Sequence, residues 1–505
     1  MNMEQENTRT GKTFIGVSLM IFISKVFGFA RDIVFASVFG TTVLTDLFQV
    51  IFSLPSLLFS SIGNALSFVN IPDLTYYLKH GTREERNTYL SNLYAQVALG
   101  AALLSLLGII FAPALTKLIA PGLQEEVTSM ALLLTRIMIP TLVFVTLTYI
   151  TAGVLQVHGY FLLSAAISIP FNFLIIASLL LKGQDLIFLG IVTTLGWFLQ
   201  FLIQVPVLFK EKYQFSLKID WHNQHTVNMF KQLLPILMGN SLLQLCLIID
   251  RSFGTHLDEG TAAALGFGSN LFMTITGVFI IALSTVIFPR LSQYCMDSDY
   301  RQVRSMLRYG FKILAFILLP YLILVTAYSP DIIALVYERG AFTSNSTHLT
   351  ATAFLCYSFA VVGYACQEVF NRVFYALKRF KTPMYASLVC LTLHFVLNLL
   401  FYRQAGIAGL ALSTAVCLLV YALIMGLIVR RVIGPFLGQN FANYSLRLCL
   451  PAAGMIATIL VCRYLFVSGL LLSFLLPLLA SGMVYLLVAW LGGFYQELIN
   501  RGDPV

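Results

Sequence analysis

Fourteen mostly apolar stretches, each about 20 residues or more, follow one another along this chain with only short polar joins between them. A helix of about 20 residues spans the hydrocarbon core of a bilayer. The stretches fall near 13–39, 44–70, 92–117, 128–154, 160–181, 186–209, 232–254, 262–290, 308–336, 347–376, 383–402, 405–429, 442–466 and 470–494. Composition agrees: 58% of the 505 residues are hydrophobic and 10% are charged, too little polar surface to cover a soluble core of this size. The expectation is an all-α polytopic membrane protein with 14 transmembrane helices. A soluble enzyme, a DNA-binding module and a secreted disulfide scaffold are excluded. The first stretch is long and lacks a small-residue cleavage site, so it reads as a span and not as a cleaved signal.

The net charge of +9 comes from lysines and arginines that gather in alternate loops, so it calls for no nucleic-acid partner. With the N-terminus inside, the cytoplasmic segments hold Arg9, Lys12, Lys79, Arg83, Arg86, Lys210, Lys212, Arg301, Arg304, Lys378, Arg379, Arg430 and Arg431, among others. The opposite face holds Lys117, Lys182, Arg339 and Arg403. This asymmetry places both termini in the cytoplasm and faces the basic loops toward anionic membrane lipids. The eight cysteines show no CxxC spacing, and most lie in apolar runs, where core thiols are expected.

A repeat divides the chain. Ala65-Leu66-Ser67-Phe68-Val69-Asn70-Ile71-Pro72, with Leu74 and Tyr77 after it, matches Ala282-Leu283-Ser284-Thr285-Val286-Ile287-Phe288-Pro289, with Leu291 and Tyr294 after it. Both segments end an even-numbered span and lead into a charged loop. The expected organisation is a cytoplasmic N-terminus (1–12), a six-helix N-lobe (13–220), a six-helix C-lobe (221–435), and an appended pair with a cytoplasmic tail (436–505). Parallel repeats of this kind are a transporter architecture, with the site between lobes that rock about it. The appended pair either lines a lipid-facing groove or pads the bundle.

Charges inside spans are costly and mark functional candidates. Lys25 and Arg31 on helix 1 are six residues apart, so they stand some 120° apart around the helix and about 9 Å along it. They can line one wide cavity. Asp46, at the start of helix 2, is placed to pair with either, as an interfacial salt bridge or as part of a cavity that receives an anion. Asp250 and Arg251 on helix 7 point in different directions. Arg136, Lys312 and the Glu368–Arg372 pair at i, i+4 complete the set, the last read as a structural pair. Basic groups outnumber acidic ones, which suits a phosphate or pyrophosphate and disfavours an organic cation.

The run Lys25-Val26-Phe27-Gly28-Phe29-Ala30-Arg31-Asp32, with Thr45-Asp46 and Leu54-Pro55, resembles the opening of the MurJ (MviN) lipid II flippase family. That family belongs to the multidrug/oligosaccharidyl-lipid/polysaccharide exporter superfamily. Glu338-Arg339-Gly340-Ala341-Phe342-Thr343, Phe374-Tyr375-Ala376-Leu377 and Lys381-Thr382-Pro383 extend the resemblance over roughly 10–435.

The resemblance implies a multi-pass protein of the bacterial inner membrane that moves undecaprenyl-pyrophosphate-linked peptidoglycan precursor outward by alternating access. It makes and breaks no bond, so it is not an enzyme. The family's substrate-binding positions fall on Lys25, Arg31 and Asp46. Phe59, Asn64, Ser269 and Asn270 stand where the family carries charged or amide residues, which leaves Arg251 or Arg136 to complete the clamp. The sodium positions of some members fall on Asp250, His394, Asn398 and Thr414. One carboxylate is a poor basis for a tight cation site, so Na+, H+ or the membrane potential all remain as the coupling agent, with no cofactor. His394 reads as a packed core histidine. A monomer with a lipid-linked glycan as substrate is expected. The rivals are a flippase for a capsule, teichoic or exopolysaccharide unit, a drug/cation antiporter, and a membrane glycosyltransferase or polymerase, against which the short outer loops argue.

Overall fold

The computed structural model describes the backbone of residues 3–216, 219–221, 223–465 and 474–499. Side chains are described over the same ranges except at 3–15, 18, 54–70, 224–226, 228–230, 280–289 and 498–499. The described residues form helices and no strand. The first nine helices are α1 (Met3–Phe39), α2 (Val43–His80), α3 (Arg83–Ile110), α4 (Ala112–Ile119), α5 (Glu125–Met138), α6 (Thr141–Val157), α7 (Phe161–Ala166), α8 (Ser168–Lys182) and α9 (Leu186–Lys210). Next come α10 (Gln224–Asn240), α11 (Leu242–Gly254), α12 (Thr261–Met296), α13 (Tyr300–Tyr337), α14 (Ser344–Ser358) and α15 (Val361–Ala376). The chain closes with α16 (Lys381–Ile433), α17 (Gln439–Leu465), α18 (Leu476–Leu491) and α19 (Phe494–Ile499).

Among the described residues, eight helices are long and apolar enough to cross a membrane, and two sharply bent pairs bring the number to as many as ten. One helical run carries two of the expected spans: α16 covers both 383–402 and 405–429. The break is at Gly406, whose φ of 53° a residue without a Cβ adopts readily. The break falls beside the short join between these two stretches. The motifs at 65–72 and 282–289 lie almost wholly on side chains outside the described residues.

The chain divides into two compact units, Met1–Ala263 with Arg339–Thr343, and Ala264–Glu338 with Ser344–Val505. Helices α10 and α11 fall in the first unit, where they pack against α2. In the first unit α2 also packs on α6, α6 on α9, and α8 on both α1 and α9. In the second, α14 and α15 pack on α16, and α17 packs on α18 and α13.

Both units use one device at the start of a long helix. In the first unit Arg83 donates to the Lys212 carbonyl (2.9 Å) and Arg86 to the Glu211 carbonyl (3.4 Å), at the end of α9. In the second, Arg304 donates to the Ile433 carbonyl (2.9 Å) and Arg308 to the Phe436 carbonyl (3.2 Å), at the end of α16. The last carbonyls of a helix lack partners within it, and a cation there also complements the helix dipole.

The appended helices are tied along α13. Lys312 pairs with Glu497 (3.2 Å), which Arg447 also contacts. Lys312 is therefore held by the terminal helix and is not a lone charge in the span. Farther along, Tyr485 donates to the Phe316 carbonyl (2.8 Å), and Arg463 donates to the carbonyl of Ala327, beside the kink at Tyr328. Tyr328, Tyr444, Met455, Phe474 and Tyr485 belong to one buried apolar cluster that fills the space between these helices.

Candidate functional site

Helix α1 carries Lys25 and Arg31, both partly exposed. Arg31 forms an ion pair with its neighbour Asp32, with Nη2 at 2.8 Å and Nε at 3.1 Å from the same carboxylate oxygen. Its guanidinium also lies 5.7 Å from the centre of the Phe171 ring on α8. Ser24 anchors this stretch by donating to the Ala165 carbonyl (2.7 Å). The side chain of Arg31 thus has a fixed direction while keeping about a quarter of its surface free (23%).

Asp46 is where the structure departs from expectation. It does not pair with Arg31 or Lys25. The residue is only 6% exposed, and its carboxylate accepts the backbone N–H of Gly260 (2.7 Å) and of Ala263 (2.5 Å). These are among the first amides of α12, which have no partner within the helix. A carboxylate at a helix start satisfies them and complements the positive end of the dipole. Gly260 is suited to the position: its φ is 83°, and a Cβ there would lie 2.4 Å from the Thr41 carbonyl oxygen.

The exchange is reciprocal. Glu259, just before α12, accepts the N–H of Val43, the first residue of α2 (3.2 Å). Two helix starts thus trade carboxylates. The hairpin 339–343 docks beside them, with the Ala341 N–H donating to the Ser37 carbonyl (2.8 Å). This hairpin belongs to the first unit although the helices on either side of it belong to the second.

The other candidates are distributed. Arg251 and Asp250 are both buried on α11, and Arg136 lies exposed in the last turn of α5. Phe59 and Asn64 have side chains outside the described residues; Ser269 is buried and Asn270 partly buried. The Glu368–Arg372 pair forms as expected, at 3.6 Å.

Within the second unit the structure gathers three of the four cation-coupling candidates. His394, Asn398 and Thr414 are fully buried; His394 Nε2 lies 3.1 Å from Thr414 Oγ1 and 3.4 Å from Asn398 Nδ2. Asp250 belongs to the other unit. A hard cation such as Na+ favours several oxygen ligands, carboxylates above all. Here an imidazole nitrogen stands between the amide and the hydroxyl, so the three residues do not fit such an ion. Among the described residues, no group of three or more His, Cys, Asp and Glu side chains is arranged to hold a metal.

One polar cluster escaped the reading of the sequence. At the end of α6, His158 Nε2 meets Tyr213 Oη (2.8 Å) and His158 Nδ1 meets Glu211 Oε2 (3.2 Å). Tyr160 donates to the other Glu211 oxygen (2.7 Å), and Arg86 lies 4.4 Å over the Tyr213 ring. Burial, with help from Arg86, pushes the His158 pKa below its usual 6.5, while Glu211 opposes this. The neutral imidazole with hydrogen on Nδ1 satisfies both contacts. The members are dispersed between 86 and 213, so no local spacing betrays them.

Residues 35–481 match the family model described as "Lipid II flippase MurJ". The probable lipid II flippase MurJ of Buchnera aphidicola subsp. Acyrthosiphon pisum is 28% identical over 414 residues, covering 80% of this chain and 81% of that protein. The lipid II flippase MurJ of Burkholderia cenocepacia is 27% identical over 437 residues, covering 84% and 85%. Among solved structures, a lipid II flippase MurJ in an inward closed conformation has the same fold, with a TM-score of 0.82 at 24% identity over 96% of this chain and 100% of that one. An inward-facing multidrug resistance MATE family transporter follows at 0.64 and 14% identity, over 84% and 98%.

Proposed function

Because the chain belongs to the MurJ family of lipid II flippases, we propose that it carries lipid II, the polyprenyl-pyrophosphate-linked peptidoglycan precursor, from the inner to the outer leaflet of the bacterial inner membrane. The observation that carries this reading is the family match over residues 35–481. It is an integral membrane transporter, and the lipid-linked substrate is moved without covalent change.

In this reading the chain crosses the membrane fourteen times as two six-helix repeats plus an appended pair, with both termini in the cytoplasm. The paired arginine–carbonyl contacts of Arg83 and Arg304 support a duplicated design. Lys25 and Arg31 receive the pyrophosphate: the partly free guanidinium of Arg31, held by Asp32, offers directed donors to a phosphate oxygen. Arg251 and Arg136 are secondary candidates for the headgroup. Asp46 has a different part, fastening α12 to the start of α2 at the outer end. Transport is coupled to protons or to the membrane potential, and the protein acts as a monomer.

Depletion tests the substrate. Lipid II should accumulate in the inner leaflet when the protein is withdrawn. An unchanged lipid II pool beside a swollen pool of another lipid-linked glycan would reject the proposal.

A further inference from the structure

The segment after α9 does not hang free. From Lys212 it turns back along α3, and the partners of its backbone advance up that helix. Arg83 and Arg86 hold the carbonyls of 212 and 211. Ser91 accepts the Ser216 N–H (3.1 Å) and donates to the Gln214 carbonyl (3.1 Å). Asn92 accepts the Asp220 N–H (2.8 Å) and donates to the Asp220 carbonyl (3.0 Å), which also takes Gln96 Nε2 (2.8 Å). From Arg86 to Gln96 the strap climbs about 15 Å at the helical rise per residue.

Gln96 is the last polar side chain before α3 becomes apolar at Val97-Ala98-Leu99. The strap therefore ends where α3 passes from its polar end into its apolar span. The next residue, Trp221, is 59% exposed. Phe215 is 47% exposed and leans edge-on against Tyr94 with ring centres 5.2 Å apart. Lys210 and Lys212 are exposed at the base of the strap. Non-helical backbone can approach hydrocarbon only if its polar groups are satisfied, and the side chains of Asn92 and Gln96 do this for Asp220.

We infer that the described residues 211–216 and 219–221 form an interfacial anchor, with Trp221 and Phe215 seated among the headgroups of the anionic cytoplasmic leaflet and Lys210 and Lys212 facing the lipid phosphates. Aromatic rings with one polar edge settle at this depth, and juxtamembrane basic residues add attraction to anionic lipid. The anchor lies in the linker between the sixth and seventh spans. The inference rests on the membrane topology proposed above and is independent of the substrate.

The chain has three tryptophans, so Trp197→Phe with Trp490→Phe leaves Trp221 as the sole reporter. In nanodiscs of phosphatidylglycerol and phosphatidylethanolamine, lipids labelled with doxyl near the headgroup should quench its emission more than lipids labelled at the chain end. Lys210→Gln with Lys212→Gln should lessen that quenching, and so should Asn92→Ala with Gln96→Ala, which releases the strap. Equal quenching by both lipid labels, or none by lipid with full quenching by aqueous iodide, would overturn the anchor. Because no transport is read, failure of the lipid II assignment would leave the result unchanged.

Discussion

Asp46 and Glu259 cap one another's helices: the Glu259 carboxylate takes the Val43 N–H at the start of α2, and the Asp46 carboxylate, one turn into α2, takes the Gly260 and Ala263 N–H groups at the start of α12. The two ends are more than two hundred residues apart in sequence, and each presents amides that its own helix cannot use. Asp46→Ala leaves two buried N–H groups without an acceptor, at about 1–3 kcal/mol each. Transport should fall at least about tenfold while the protein still inserts, since 1.4 kcal/mol already shifts an equilibrium tenfold. Asp46→Asn keeps an acceptor and should retain part of the activity. Complementation read beside the membrane level checks both; full activity of Asp46→Ala would remove the caps from the account.

Lys25→Arg should be tolerated, because a guanidinium keeps the charge at a position the resemblance assigns to substrate binding. Arg31→Ala should abolish transport, since it removes the guanidinium that offers directed donors to a phosphate oxygen. Complementation of a depleted strain reads both variants, and loss of function in Lys25→Arg would count against a role for positive charge at this position.

The arginine–carbonyl contacts predict a stability effect in each unit. Arg83→Ala and Arg304→Ala should each lower the melting temperature in detergent, by an amount equivalent to about 1 kcal/mol, the charged hydrogen bond being discounted for exposure. The two share no partner, so the double variant should lose the sum. A purified-protein melting series reads this, and Arg→Lys at the same positions should restore part of the loss.

His158 predicts a pH effect of definite sign. Its folded pKa lies below 6.5, so the neutral ring is the form the fold prefers. The stabilisation is fully present above the unfolded pKa of about 6.5 and is lost as the pH falls through the lower folded value. Melting temperature should drop on acidification through this range, and His158→Gln, which does not titrate there, should flatten that part of the profile. An unchanged profile in the variant would show that the cluster does not titrate with the fold.

Removing sodium should change transport little, because His394, Asn398 and Thr414 form a set poor in charged oxygen. Transport assayed in potassium against sodium buffer reads this, and a steep sodium requirement would contradict it.

Much of this was legible before any coordinates. Apolar runs of span length announce membrane helices, and the two runs at 383–402 and 405–429 meet at the non-helical Gly406 inside α16. Glu368 and Arg372 were legible because i, i+4 spacing puts both on one helix face. The partner of Asp46 was not: backbone amides have no side-chain signature, so a carboxylate near a cluster of cations invites the wrong pairing. The same holds for Arg83, Arg304 and Arg463, whose acceptors are carbonyls that any residue supplies. His158 and Tyr213 meet only because α6 and the end of α9 are packed together, a tertiary fact with no local pattern.

The most direct measurement is flipping by the purified protein. In proteoliposomes loaded with fluorescent lipid II, the account predicts that an impermeant quencher reaches labelled headgroups from the inner leaflet faster with the wild-type chain than with Arg31→Ala or protein-free vesicles. Equal rates in all three would contradict the claim that this chain carries the lipid-linked diphosphate on the cationic face of its first helix.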